Sequence, residues 1–343
     1  LKREFLPGNY RNGGTDAIYG DTLPFCNLPA GRNGDLYRES AFFLAYRPNL
    51  SSSFDNTRKH GRTYTMTKKV QKQKVIVIVG STATGKSALG VELARKFNGE
   101  VISADSRQVY KGLDIGTGKV TKKEMGGVPH HLLDVVSPKR RFSVAEYQTL
   151  ARAKMEEILQ REKLPIVCGG TGLYVDSLLT SNQFPEVPPN EKLRARLDKK
   201  TTPELFQMLK ERDPRRAKTI DSHNPRRLIR AIEIATVLGK VPTLKHSDEV
   251  EPRQVLWLGL TLPPEKLKER IADRLLSRLK AGMIAEAKKI HTRGLSWKRM
   301  EELGLEYRYL ARFLQKKIIK QEMIASLQSE IWHYAKRQMT WFK

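Results

Sequence analysis

Gly80-Ser81-Thr82-Ala83-Thr84-Gly85-Lys86-Ser87 fits the pattern G-x-x-x-x-G-K-[ST], and it sits between the β-branched run Val75 to Val79 and a stretch with Leu89, Leu93 and Phe97 at helical spacing. In that setting the glycines let backbone amides turn inward around phosphate oxygens, and the N-terminus of the following helix adds positive potential. Lys86 neutralises charge and Ser87 is placed to reach a Mg²⁺ ion. The eight residues therefore read as a phosphate cradle. They do not select the phosphate compound. A nucleotide hydrolase or kinase adds an apolar strand ending in a Mg²⁺-holding Asp. Here the run Leu164 to Cys168 ends instead in Gly169-Gly170-Thr171. His131-Leu132-Leu133-Asp134 can imitate that element, so ATP binding with hydrolysis or phosphoryl transfer stays open at this point.

Two further turns carry candidate chemistry. The run Glu100 to Ser103 leads into Ala104-Asp105-Ser106-Arg107-Gln108, which in an open α/β sheet puts Asp105 at the carboxyl edge beside the phosphate loop. A carboxylate there can take a proton from a poor nucleophile such as the N6 amine of adenine, whose lone pair is delocalised into the ring. It can equally be a helix or turn cap. Gly169-Gly170-Thr171-Gly172-Leu173-Tyr174 is a second glycine-rich turn, and the Thr171 hydroxyl can donate to a departing diphosphate or merely cap a helix. Arg226, Arg227 and Arg230, with Arg194 and Arg196 as a weaker pair, are candidates for phosphate-backbone contact. Lys336-Arg337-Gln338 is interleaved with Trp332, Tyr334 and Trp341, aromatics that either stack on bases or pack the core, the second being the commoner fate on an amphipathic helix.

The elements that must position these residues follow from periodicity. Strands at Val75–Val79, Glu100–Ser103 and Leu164–Cys168 alternate with helices at Lys86–Phe97 and Val144–Arg161, which implies a parallel sheet of α/β class. After Pro185, Pro188 and Pro189 the texture turns helical from Glu191 to Gly239, with Asp213-Pro214 and Asn224-Pro225 as starts. Val255–Thr261 returns to strand character, and the remainder is mostly helical, punctuated by Gly282, Gly294 and Gly304. The expected division is 71–184 as the first part of the core, 185–245 as a helical insert and 246–343 as the rest of the core. Residues 1–70, rich in Gly, Asn, Arg, Pro and Ser, show no sustained period and read as a disordered or non-native upstream extension ahead of Met66.

Lys and Arg number 63 against 37 Asp and Glu, a formal charge of +26, of which residues 71–343 hold +21; such an excess favours a polyanionic partner. Cys26 and Cys168 are far apart, which supports neither a disulfide framework nor a zinc site. No apolar run reaches the roughly 20 residues of a membrane span, so a cytoplasmic protein without membrane attachment is expected.

Taken together, Gly80 to Ser87, Asp105 to Lys119, Val128-Pro129-His130-His131-Leu132-Leu133-Asp134, Phe142 to Tyr147, Gly169 to Tyr174, Asn224 to Ala231 and Ala335 to Phe342 resemble, in residues and in order, the tRNA dimethylallyltransferases. The likeness covers about residues 74 to 343. It implies a P-loop kinase-like core with a helical insert, and dimethylallyl diphosphate bound by Gly80, Ser81, Thr82, Ala83, Thr84, Gly85, Lys86 and Ser87 with Mg²⁺ on Ser87. It further implies transfer of the dimethylallyl group to N6 of the adenine 3′ of the tRNA anticodon (position 37), releasing diphosphate. Asp105 is then the general base and Thr171 assists at the reacting centre. Asp105, Ser106, Arg107, Gln108, Arg194, Arg226, Arg227, Leu228, Ile229 and Arg230 contact tRNA, which core and insert both engage. The basic insert argues for tRNA over a free nucleotide as acceptor. Departures from the family pattern are Ser81 for Pro, Thr84 for Ser, His333 for Arg, and Leu303 to Arg308, whose role is left unassigned. No Cys/His zinc finger of the kind in eukaryotic members is seen after Phe342, which favours a bacterial-type enzyme; a monomer is expected.

Overall fold

The computed structural model describes residues 41–47, 73–180, 184–243 and 253–342. Cys26, Met66 and the expected division at residue 70 lie outside the described residues. Six strands form one sheet: β1 (Ala41–Arg47), β2 (Lys74–Gly80), β3 (Gly99–Ser103), β4 (His130–His131), β5 (Leu164–Cys168) and β6 (Gln254–Thr261), in the order β1-β6-β2-β5-β3-β4. All neighbours are parallel except β1, which runs antiparallel along β6. The α/β parallel sheet expected from the alternating pattern is therefore present. β2 is central and reads as an unbroken apolar run because both of its faces are covered: Val75, Val77 and Ile78 are buried. β1 and β4 were not anticipated. The β1 run Ala-Phe-Phe-Leu-Ala-Tyr-Arg lacks period-2 alternation, and β4 has only two residues, so both are defined by pairing to a neighbour and not by pattern.

The helices are α1 (Lys86–Lys96), α2 (Lys122–Met125), α3 (Val144–Gln160), α4 (Gly172–Leu179), α5 (Glu191–Leu197), α6 (Thr202–Arg212), α7 (Pro214–Ala217), α8 (Pro225–Leu238), α9 (Pro264–Lys280), α10 (Met283–Thr292), α11 (Trp297–Glu302), α12 (Leu305–Leu314) and α13 (Lys320–Phe342). The chain divides into two compact units. The first takes in the sheet, with residues up to 141, 153–172 and 252–343; the second holds 142–152 and 173–251. The second unit thus recruits the start of α3 and most of α4, which the sequence reading left with the core. The recruitment rests on the stack of Tyr147 on Tyr174, with ring centroids 3.9 Å apart, and on the buried Gln148 amide donating to Ser177 O at 2.6 Å.

In the first unit, buried Glu100 on β3 is held by His131, Arg161 and Lys163 at 2.6 to 2.9 Å, which ties the sheet edge to the end of α3. In the second unit, Leu197, Leu205, Leu209, Leu228 and Ile232 are fully buried against one another. Asp213 and Asn224 cap α7 and α8 through the amides of Arg216 and Arg227, as the Asp-Pro and Asn-Pro pairs predict.

The same unit encloses a carboxylate. Glu233, with no exposed surface, accepts from Arg194 Nε at 3.0 Å and Nη2 at 2.8 Å, from Arg230 Nη1 at 2.6 Å and from the Asn190 amide at 2.6 Å. Burial alone would raise its carboxyl pKa, yet these donors hold it below the usual carboxylate range. Glu233→Ala is expected to destabilise this unit by about 3 kcal/mol, the lower end of what breaking a buried pair costs, because both arginines can swing into water. Faster amide hydrogen exchange along α5 and α8 is the readout; unchanged exchange would assign the pairing no structural weight.

Candidate active site

The strand order β2-β5-β3 sets three carboxyl ends side by side, so the loops after Gly80, Ser103 and Cys168 converge at one edge of the sheet. Gly80 has φ 138°, and a Cβ there would sit 2.2 Å from Leu260 O, so only glycine lets the chain leave β2 against β6. Gly85, at φ 89°, turns the loop into α1 and leaves the first amides of that helix facing the cradle. Within the loop, Thr84 Oγ1 donates to Ser81 O at 2.9 Å, and Lys86 Nζ folds back to donate to the same carbonyl. Burial brings the Lys86 ammonium down to about 8, with neighbouring Arg274 adding to the fall and Cys168 and Asp105 opposing it. The Ser81 hydroxyl is buried with no hydrogen-bond partner among the described residues, a consequence of a polar side chain where the family pattern has proline. Cys168, behind the loop, is a buried free thiol that burial pushes up to about 11, fitting a packing residue and not a nucleophile.

Asp105 combines the two roles its sequence left open. Its Oδ1 caps the turn, accepting from the amides of Arg107 at 2.8 Å and Gln108 at 3.3 Å. Its Oδ2 has no hydrogen-bond partner among the described residues, which leaves a proton-accepting oxygen at the sheet edge. Thr171 links this turn to the second glycine loop. Its Oγ1 accepts from the Ser106 amide at 3.1 Å and donates to Ser106 Oγ at 3.4 Å, while the Thr171 amide donates to Ala104 O at 3.2 Å. A Cβ on Gly169 would lie 2.1 Å from Ala104 O, so the two turns touch through glycine. On α13, burial first, and then nearby Asp105, push the Tyr334 hydroxyl up to about 12. Among the described residues no cluster of three or more His, Cys, Asp or Glu forms a metal cage.

Sequence reasoning missed the residues that brace this edge. The Glu286 carboxylate on α10 accepts from the amides of Asp114, Ile115 and Gly116 at 2.8 to 3.0 Å and from Tyr307 OH at 2.6 Å. Tyr307 belongs to the previously unassigned Leu303–Arg308 segment, and its ring lies 2.6 Å from where a Gly116 Cβ would stand. That segment therefore holds the 114–118 loop in place. Arg274 on α9 reaches Thr82 Oγ1 at 3.4 Å and Gly118 O at 3.0 Å, bringing a further cation to the phosphate loop. Lys119, nearly fully buried, donates to Tyr110 O, Asp114 and Asp134 at 2.9, 2.7 and 2.6 Å. Asp134, which the sequence offered as an imitation of a nucleotide-site Mg²⁺ ligand, is paired through Oδ1 with Lys119, and β4 is separated from β2 by two strands.

The proposed tRNA contacts are distributed unevenly. Ser106 and Gln108 are half-buried and Arg107 is exposed at the Asp105 turn. Arg226 and Arg227 are exposed at the start of α8, whereas Leu228 and Ile229 are buried in the core of the second unit and present no side chain to an RNA. Arg194 and Arg230 are turned to Glu233, so the i, i+4 spacing of Arg226 and Arg230 does not yield a shared solvent-facing pair. Charge is shared between core and insert: residues 185–245 carry 15 Lys and Arg against 8 Asp and Glu, while 71–141, 153–172 and 252–343 carry 36 against 18. At the carboxyl end, Lys336 and Arg337 are exposed, and Trp341 is 48% exposed, which departs from core packing for that aromatic.

Residues 108–343 match the protein-family model described as IPP transferase. The chain is 46% identical over 276 residues to tRNA dimethylallyltransferase 2 of Treponema denticola, spanning 79% of this chain and 92% of that one. It is 42% identical over 274 residues to the tRNA dimethylallyltransferase of Anoxybacillus flavithermus, spanning 79% and 88%. Among solved structures it is similar to the full-length tRNA isopentenylpyrophosphate transferase of Bacillus halodurans, with TM-score 0.59 and 38% identity over 79% of this chain and 87% of that one. It is also similar to a eukaryotic dimethylallyltransferase acting on tRNA, with TM-score 0.68 and 31% identity over 79% and 70%.

Proposed function

This chain belongs to the IPP transferase family, the tRNA dimethylallyltransferases, and from that premise we propose how its sheet edge carries out the reaction. The enzyme transfers a dimethylallyl group from its diphosphate to N6 of the adenine 3′ of the tRNA anticodon. The observation that supports this assignment of roles is the Asp105 turn: a carboxylate oxygen without a partner among the described residues, at the sheet edge that carries the phosphate cradle. The diphosphate lies on the loop amides of 80–87 with Lys86, and Arg274 adds charge from α9. N6 attacks the allylic carbon, the carbon–oxygen bond breaks, and the diphosphate leaves with the electron pair while the N6 proton passes to Asp105. Thr171, held by the Ser106 amide, turns its hydroxyl hydrogen from Ser106 Oγ to hydrogen-bond the departing oxygen. The reaction needs no covalent enzyme intermediate.

Ser87, exposed in the first turn of α1 with no hydrogen-bond partner among the described residues, is the residue that would hold a Mg²⁺ ion. Such an ion would neutralise charge on the leaving group. Arg107, Arg226, Arg227, Lys336 and Arg337 are the exposed cations we assign to tRNA phosphates. No helix among the described residues is long and apolar enough to cross a membrane.

The direct test is incubation with radiolabelled dimethylallyl diphosphate, Mg²⁺ and unmodified tRNA. Label entering tRNA at the adenine 3′ of the anticodon is the expected result. ATP turnover without transfer of label would instead assign the loop to phosphoryl chemistry.

A further inference from the structure

One face of α13 meets both glycine-bounded loops. Gln338 and Trp341, spaced i and i+3, meet the gap between the loops and Gly172 respectively. Gln338 is 6% exposed, and its amide makes one bond in each direction: Oε1 accepts from the Thr82 amide at 2.9 Å and Nε2 donates to Gly170 O at 2.8 Å. The orientation of the amide is set by its partners, since a flip would place donor against donor and acceptor against acceptor. Gly170 is shaped to this contact, for a Cβ there would stand 2.2 Å from Gln338 Nε2.

We propose that Gln338 is a positioning residue that fixes the spacing between the phosphate loop and the Thr171 loop, so that a diphosphate seated on the first meets the hydroxyl of the second. It does so without contacting either substrate. The inference rests on the function proposed above, because it assigns Gln338 to the donor half of that reaction. The physical reason is that a glycine-rich loop has many accessible conformations, and donor binding must otherwise select one of them. A buried amide bonded at both ends removes that freedom before the donor arrives. Neither bond is available to methionine, which keeps similar volume, or to asparagine, which is too short to span the gap.

The test uses the full chain with Gln338→Met and Gln338→Asn, measuring calorimetric binding of inorganic diphosphate with Mg²⁺ alongside steady-state transfer. Both folded variants are expected to bind inorganic diphosphate about tenfold more weakly, the loss of one to two buried hydrogen bonds, and to raise the donor KM by a similar factor with tRNA KM unchanged. Gly170→Ala, which displaces the amide, is expected to cause a loss that does not add to that of Gln338→Met. Diphosphate affinity equal to the parent's in either variant, a change confined to tRNA KM, or failure of both variants to fold would overturn the proposal. Weakened diphosphate binding in the variants, with a parent protein that transfers no dimethylallyl group, would leave the positioning role standing and refute the assigned reaction, so the two outcomes are distinguishable.

Discussion

Asp105→Asn lowers the rate of prenyl transfer about 10²- to 10⁴-fold, the range a positioned general base contributes, while the protein melts where the parent does. The amide keeps an oxygen for the Arg107 and Gln108 amides and therefore preserves the turn, but it cannot take the N6 proton. Asp105→Ala loses both functions and is expected to match the asparagine variant in kcat with an additional loss of stability of about 1 kcal/mol, as for other lost caps. The pair separates chemistry from architecture. Single-turnover transfer with saturating donor and tRNA is the measurement, since it isolates the chemical step from product release. An asparagine variant with near-parental single-turnover rate would reduce Asp105 to a cap and require another proton acceptor.

Lys86→Met raises the donor KM about 10²- to 10³-fold, as expected when a charge-assisted contact to a diphosphate is removed from a preorganised site. This lysine also carries a pH signature. Because burial brings its ammonium from 10.5 to about 8, the donor-free enzyme loses the charge in the mildly alkaline range. Below about pH 8 the ammonium is in place before the donor arrives. Above it a proton must be taken up on binding, so donor affinity falls with rising pH, and this component is absent from Lys86→Met. Stability of the donor-free protein runs the other way. The unfolded chain holds the Lys86 proton up to about 10.5 and the folded chain only to about 8, so unfolding takes up a proton and stability rises with pH across that window. Binding isotherms for inorganic diphosphate at pH 7, 8 and 9 on parent and variant measure the first effect. Parallel pH profiles for the two proteins would show that Lys86 is not the titrating group.

The expectations drawn from local pattern fared differently from those that needed a partner. The phosphate loop was legible because β2, the loop and α1 are consecutive, and the glycines that shape it act on their own backbone. The Asp-Pro and Asn-Pro helix starts were legible for the same reason. In the arginine cluster of α8, spacing identified which residues share a helix face but not that Arg230 also meets Glu233. Arg230 shares a turn with Glu233, an acid inside the apolar run Ile232 to Ile234. A charged residue at a position predicted to be buried was the available signal, and Gln338, in the buried stripe of Ile331 and Ala335, offered the same one.

The linear order of residues by itself determined the α/β class, the phosphate cradle and the candidacy of Asp105 and Thr171, because each rests on interactions within a few positions of the chain. The tertiary structure alone decided which oxygen of Asp105 is left without a partner, that Asp134 belongs to Lys119, and that the Leu303–Arg308 segment steadies the 114–118 loop. It also decided that Gln338 reaches across 256 residues to the Thr82 amide. Periodicity reports which face of an element is buried, whereas the partner of a polar side chain on that face is set by how distant elements pack, and one residue's spacing holds no record of that.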